Sequence, residues 1–161
     1  QPVPQTGDIL GPEQSGRWRI SKPKDRSRWL NLAKACYKPK QRAVLEIRSG
    51  LYTFGGIGRK LELWFQGQRV QAWIERSTRP RNAICVRTDR RHRFSFWDIL
   101  VHPETGALGA QRAVTKALNV TGPALNWPVV TLIPTNPNLV NILTAVGFQS
   151  HRTLTQMILR I

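Results

Sequence analysis

The sequence predicts an α/β (α+β) domain with a mixed, mostly antiparallel central sheet flanked by helices. Three observations carry that class. Strand-like and helix-like segments follow in the order β, α, (α), β, β, β, α, β, α, β. Strand-like runs between 60 and 101 are separated only by short turns, as in antiparallel hairpins. The strand–helix–strand passage at 94–133 requires a local parallel pair.

The chain has 161 residues, 40% of them hydrophobic and 8% aromatic, with six tryptophans. That is a globular composition, long enough to bury a core as one domain over 17–161. The formal net charge is +16, from 25 Lys and Arg against 9 Asp and Glu. Such a balance favours polyanionic partners, or else serves solubility, and charge alone does not choose between them. Cys36 and Cys85 share no metal-type spacing and no His lies beside either, so a zinc site is not expected and two reduced thiols are. No apolar run reaches bilayer-spanning length, and the start lacks a basic-then-apolar signal pattern, so the expected location is cytoplasmic.

Residues 1–16, rich in Pro, Gly and Gln, read as an extended N-terminal arm. In "RWRISKPKD", Trp18 and Ile20 alternate with Arg17, Arg19 and Ser21, a short strand that Pro23 ends. Asp25 is placed to cap the next helix, in which Trp29, Leu32, Ala33 and Cys36 recur at helical spacing over 26–37. Val44, Leu45, Ile47 and Leu51 fit either a short helix or a strand, and "GGIG" at 55–58 reads as a turn. "KLELWF", "QGQ" and "RVQAWIER" read as strand, turn and strand, with Trp64 and Trp73 both in the core. "NAICVRT" and "HRFSFWDILV" are further strands. The second, with Phe94, Phe96 and the apolar run 99–101, is expected at the centre, covered on both faces.

The helix that follows is expected over 107–119, with Leu108, Val114 and Leu118 inward. "VVTLIPT" reads as a buried strand. "NPNLVNILTAVGF" opens on an Asn cap with Pro137 at an early helical position and stops at Gly147. "RTLTQMILRI" is a last strand.

Three of these stretches, in this order, resemble the GCN5-related N-acetyltransferase (GNAT) superfamily. "WRISKPKD" is similar to its opening of strand, Arg, small residue or Pro, Asp and helix. "FSFWDILVHPETGALG" is similar to its central strand, V-x-P-E and acyl-CoA pyrophosphate loop. "VTLIPTN", with Asn136 eleven residues before Gly147 and Phe148, is similar to its late strand and helix. The resemblance implies a GNAT-like fold and acetyl-CoA as co-substrate. The central strand would splay from its neighbour, leaving backbone groups near Leu100 and Val101 for pantetheine. Gly106, Ala107, Gly109 and Ala110 would cradle the pyrophosphate, and Asn136 would complete the cofactor site. A small-residue loop lets backbone N–H groups approach the phosphate oxygens. Two positions depart from the pattern. Gly109 holds the family's central glycine, but Gly106 stands for its Gln or Arg and Gln111 for its final small residue. Leu143 stands where the family often has a tyrosine acid, seven residues after the capping Asn.

Acetyl transfer to an amine needs a base, and a carboxylate is the usual one. Asp8 and Glu13 lie in the arm, Asp25 reads as a cap, and Asp89 and Glu104 lie in turn segments. Glu62, Glu75 and Asp98 fall on predicted strands. Asp98 is the candidate catalytic residue, three positions before Val101 on the central strand. The other reading pairs it with Arg91 or Arg93. His102 is either an acid or base, or a polar strand-end residue. Residues 76–93 hold Arg76, Arg79, Arg81, Arg87, Arg90, Arg91 and Arg93, a candidate polyanion-binding set. Two functions follow: a GNAT-like N-acetyltransferase acting on an acidic or protein acceptor, or a catalytically inactive GNAT-like module whose arginines bind nucleic acid or an acidic protein complex.

Overall fold

The computed structural model of the protein describes residues 17–38, 57–122, 126–132 and 136–150. The N-terminal arm, the helix-or-strand segment 42–51 and the last strand lie outside them. Five strands form one sheet in sequential order: β1 (Trp18–Ile20), β2 (Gln68–Glu75), β3 (Asn82–Asp89), β4 (Phe94–Val101) and β5 (Val129–Leu132). The first three pairings are antiparallel, and β4 with β5 is parallel. The helix α3 (Gly106–Thr121) makes the crossover that this parallel pair requires.

Side-chain alternation along β2, β3 and β4 divides the core into two layers. On one face Ile84, Val86, Trp97, Ile99 and Val101 meet α3 and the helix α4 (Pro137–Ala145). On the other, Ala72, Ile74, Ala83, Cys85 and Leu100 meet Trp29, Leu32 and Ala33 of α1 (Arg26–Cys36). β4 is covered on both sides, as its apolar run predicts.

Three expectations are corrected. "KLELWF" is not a strand: residues 57–65 form the helix α2 (Ile57–Phe65), which takes in half of the predicted glycine turn. β2 pairs with β3 along Gln68–Ile74 and with β1 only at Trp73–Glu75, and α2 lies just before it in the chain. The residues that read as alternating also satisfy helical spacing, and Gly67, at φ +72°, turns the chain into β2. Trp64 is accordingly 70% exposed, edge-on to Phe65, rather than in the core. In α3 the inward face is Gly109, Ala110, Ala113, Val114 and Ala117, while Leu108 points out. Small residues bring the helix axis close to the sheet, an effect that apolar counting misses. In β5, Val130 is half exposed.

The opening segment is held by one carboxylate. Asp25 is buried and takes both guanidinium nitrogens of Arg19, at 2.6 Å each, together with the Lys22 N–H at 2.9 Å. Arg28 lies 3.5 Å away. Asp25 occupies the expected N-cap position of α1, but its side chain makes no cap bond because these partners hold it. Beside it the Trp29 indole N–H donates to Ser21 Oγ at 2.9 Å. The edge strand β1 is thereby fastened to the start of α1. The Arg19 hydrogen bonds hold the Asp25 pKa down to about 2. This stabilisation is present above the ordinary carboxylate pKa and is lost as pH falls toward 2.

Asp25→Ala leaves Arg19 without its buried partner and is expected to cost about 3 kcal/mol of unfolding free energy at pH 7. The same comparison at pH 3 should show a smaller loss. Urea denaturation at the two pH values measures both, and an equal cost at each would contradict the ion-pair account.

Candidate active site

The recorded pairs of β4 with β5 run from Ser95 with Val129 to Asp98 with Leu132. β3 accompanies β4 further, from Asp89 with Phe94 to Asn82 with Val101. Among the described residues, the β5-side edge of Ile99, Leu100 and Val101 therefore has no paired strand. Leu100 and Val101, where the sequence places the cofactor's backbone contacts, lie in this stretch. Their side chains are buried in opposite core layers. The Val101 carbonyl accepts a hydrogen bond from the Cys36 thiol at 3.3 Å. Sequence spacing gives no signal for that contact, which crosses 65 residues.

Past Val101 the chain makes a short 3-10 turn, Pro103–Thr105, and enters α3. His102 caps this turn. Its Nδ1 accepts from the Glu104 N–H at 3.3 Å, and its own N–H donates to the Arg81 carbonyl at 2.8 Å. An accepting Nδ1 puts the ring proton of the neutral form on Nε2. Thr105 stands at the N-cap of α3, but its hydroxyl donates back to the His102 carbonyl at 2.7 Å, so no side chain caps the helix. The first N–H groups of α3 are left without intrahelical acceptors. Gly106 sits at φ +59°, which a side chain would oppose.

Gly109 is needed for space. A Cβ there would collide with the Thr105 side chain and stand 3.4 Å from Asn82 Oδ1. Asn82 is buried beneath this turn, and its Oδ1 has no hydrogen-bond partner. Ala110 faces the core, Ala107 is exposed, and Gln111 is exposed on the outer side of the helix. A helix start with uncapped amides and a glycine that holds it close to the strand end fits a diphosphate. Gly106, Ala107 and Leu108 offer the amides, whereas Gly109 and Ala110 shape the turn from behind.

Asp98 lies at the last recorded β4–β5 pair, on the α1 face of the sheet, opposite Cys85. It is half-buried, and no hydrogen bond or ion pair reaches its carboxylate among the described residues. Arg91 instead donates to the Phe65 carbonyl at 3.2 Å. Burial pushes the Asp98 pKa up to about 6, with the nearby charge of Arg87 opposing. The same apolar surroundings push the thiols of Cys36 and Cys85 up to about 12, so neither is a nucleophile at neutral pH.

Asn136 caps α4, its Oδ1 accepting from the Leu139 N–H at 3.2 Å. The helix stops at Gly147, at φ +98°, where the Phe148 N–H reaches the Leu143 carbonyl at 3.0 Å. Leu143 is itself buried against β4 and α3. The seven arginines contiguous in sequence do not form one cluster. Arg76, Arg79 and Arg81 lie at the β2–β3 turn, on the side of His102 and α3, with Arg81 3.8 Å from Glu104. Arg90, Arg91 and Arg93 lie at the β3–β4 turn. The eight residues of β3 set the two groups roughly 23 Å apart. Arg87 lies between them, on the α1 face.

No family model matches the chain, and no curated protein matches it in sequence. Among solved structures it superposes on a chimera of the Vibrio cholerae spermidine N-acetyltransferase SpeG and hSSAT, with TM-score 0.55 and 18% identity over 89% of this chain and 86% of that one. A mutant form of the spermidine/spermine N-acetyltransferase SpeG from Vibrio cholerae gives TM-score 0.52 and 15% identity, with the same two coverages. The chain has the GNAT acetyltransferase fold, in a divergent sequence. At these identities the likeness is one of backbone path.

A carboxylate whose pKa is raised by burial opposes folding once it ionises. The folded state retains a proton between the ordinary value near 4 and about 6. Stability from this site is thus present at low pH and lost as pH rises through 6. Asp98→Asn is expected to stabilise the protein by about 3 kcal/mol at pH 8 and by about 1 kcal/mol at pH 4.5. Chemical denaturation across that range tests it, and a variant less stable than the parent at pH 8 would mean that Asp98 is held by a partner.

Proposed function

We propose that the protein transfers an acetyl group from acetyl-CoA to an amine, with Asp98 as the base. The observation that carries this reading is a half-buried carboxylate that, among the described residues, has no partner and stands at the last β4–β5 pair. The uncapped α3 start lies at the far end of the same stretch. Acetyl-CoA laid between the two would place its diphosphate on the amides of Gly106, Ala107 and Leu108. Its pantetheine would run along Leu100 and Val101, bringing the thioester toward Asp98.

Asp98, ionised, takes a proton from the acceptor ammonium, directly or through one water. The freed amine nitrogen attacks the thioester carbonyl, and the new C–N bond forms as the C–S bond breaks. The CoA thiolate leaves and takes up the second nitrogen-bound proton, giving amide and thiol, while Asp98 returns its proton to solvent. A pKa near 6 suits a group that must be charged at neutral pH yet accept a proton in passing. α4 supplies no acid for the thiolate, because Leu143 is core. That observation favours the second reading, a catalytically inactive GNAT-like module whose arginines would bind nucleic acid or an acidic protein complex.

The two readings separate in two measurements. Acetyl-CoA at a hundred times its dissociation constant should stabilise the fold by about 3 kcal/mol, seen as a rise in Tm. No rise removes acetyl-CoA from the account. Asp98→Asn should lower kcat about 100-fold or more while leaving that rise in place. The parent's kcat/KM should climb with pH through about 6 and then level. A rise in Tm with no turnover on any amine leaves only the catalytically inactive reading.

A further inference from the structure

Among the described residues, the α1 face of the sheet is only partly covered. α1 packs over Ala72, Ile74, Ala83, Cys85 and Leu100, toward the His102 end. Toward the β3–β4 turn the same face opens into a cleft of about 270 Å³ lined by Gln68, Arg87, Thr88, Asp89, Phe94 and Phe96. The register makes it a ladder of facing pairs, Asp89 with Phe94, Arg87 with Phe96, then Cys85 with Asp98. Asp98 is therefore the next rung inward from Arg87 and Phe96, roughly 7 Å along the strand.

Two charged side chains line this cleft, and they differ in availability. The oxygens of Asp89 are committed to the backbone N–H groups of Arg91 and His92, both at 2.9 Å, to the His92 ring at 3.0 Å and to Gln68 at 3.5 Å. Arg87 is exposed and lies over the Phe96 ring, 5.9 Å from its centroid. It makes no ion pair with Asp98 or Asp89 within 4 Å. Its guanidinium also reaches the Cys85 thiol, and the planar fork keeps further N–H groups for a carboxylate or phosphate. The pairing with the ring is weak in water but grows as a bound ligand displaces solvent from the ring face.

We propose that this cleft is the acceptor pocket, and that it takes a small primary amine with an apolar or aromatic body ending in an anionic group. The rings of Phe94 and Phe96 would flank the body, Arg87 would grip the anion, and the amine would reach inward to Asp98. This rests on the acetyltransferase reading for its reaction, though not for its binding. A net charge of +16 and an arginine in the pocket select against polycations such as spermidine.

Three amines of similar body test it: phenethylamine, 4-(2-aminoethyl)benzoate and its phosphonate counterpart, with spermidine as the polycation. Turnover is followed with acetyl-CoA, and binding by calorimetry without it. The parent protein should prefer an anionic amine over phenethylamine at least tenfold in kcat/KM, and the two anions show whether carboxylate or phosphonate is the better match. Arg87→Gln should reduce that preference at least tenfold, and Arg87→Lys should restore part of it. A preference for spermidine, or an equal loss on all amines in Arg87→Gln, overturns the pocket. Binding of the anionic amine that depends on Arg87, without turnover, upholds the pocket and rejects the acetyltransferase reading. Turnover with no dependence on Arg87 does the reverse.

Discussion

The structure turns on one inequality in backbone pairing. β4 has β3 beside it along its whole length, whereas among the described residues its pairs with β5 run from Ser95 to Asp98. Everything proposed for the site is arranged along the remaining stretch. Asp98 marks its inner limit, Cys36 touches its outer carbonyl, and the 3-10 turn at Pro103–Thr105 delivers α3 to its tip. The two core layers hold β4 in place: Trp97, Ile99 and Val101 anchor one face and Leu100 the other.

The close approach of α3 is the second condition. Its inner face is made of glycine and alanines, so the helix lies near the sheet and its first turn comes down onto Asn82 and Thr105. Lys116 extends across the Trp73 ring at 3.7 Å, its aliphatic stem adding cover on the same side. Because Thr105 gives its hydroxyl to His102, the helix start is uncapped. A cap bond is worth about 1 kcal/mol, so its absence is a small local loss of stability that leaves amides exposed.

Asp25 and Asp98 show how surroundings divide one side-chain type into two uses. Asp25 is as deeply buried as any carboxylate described, but Arg19, Arg28 and the Lys22 amide surround it, and it strengthens the fold. Asp98 has apolar neighbours and one distant arginine, and it weakens the fold when charged. A group kept at such a cost is a candidate for chemistry.

The sequence by itself determined the order of elements from β2 to α4, the burial of β4 on both faces, the capping of α4 by Asn136, the stop at Gly147 and the segment joining β1 to α1. Each is local, carried by an apolar period or by a residue with few backbone options. Tertiary structure decided the rest. Residues 60–65 fit both the alternation of a strand and the spacing of a helix, so their own pattern could not choose between the two. Leu108 and Trp64 read as core by composition, and only the packing of neighbouring elements left them outside. Seven arginines adjacent in the chain were parted by the length of one strand, while Arg87 and Asp98, eleven positions apart, came onto neighbouring rungs of one face. Antiparallel register joins residues distant in sequence and separates residues close in it. For that reason the candidate site could be seen residue by residue in the sequence, but its assembly could not.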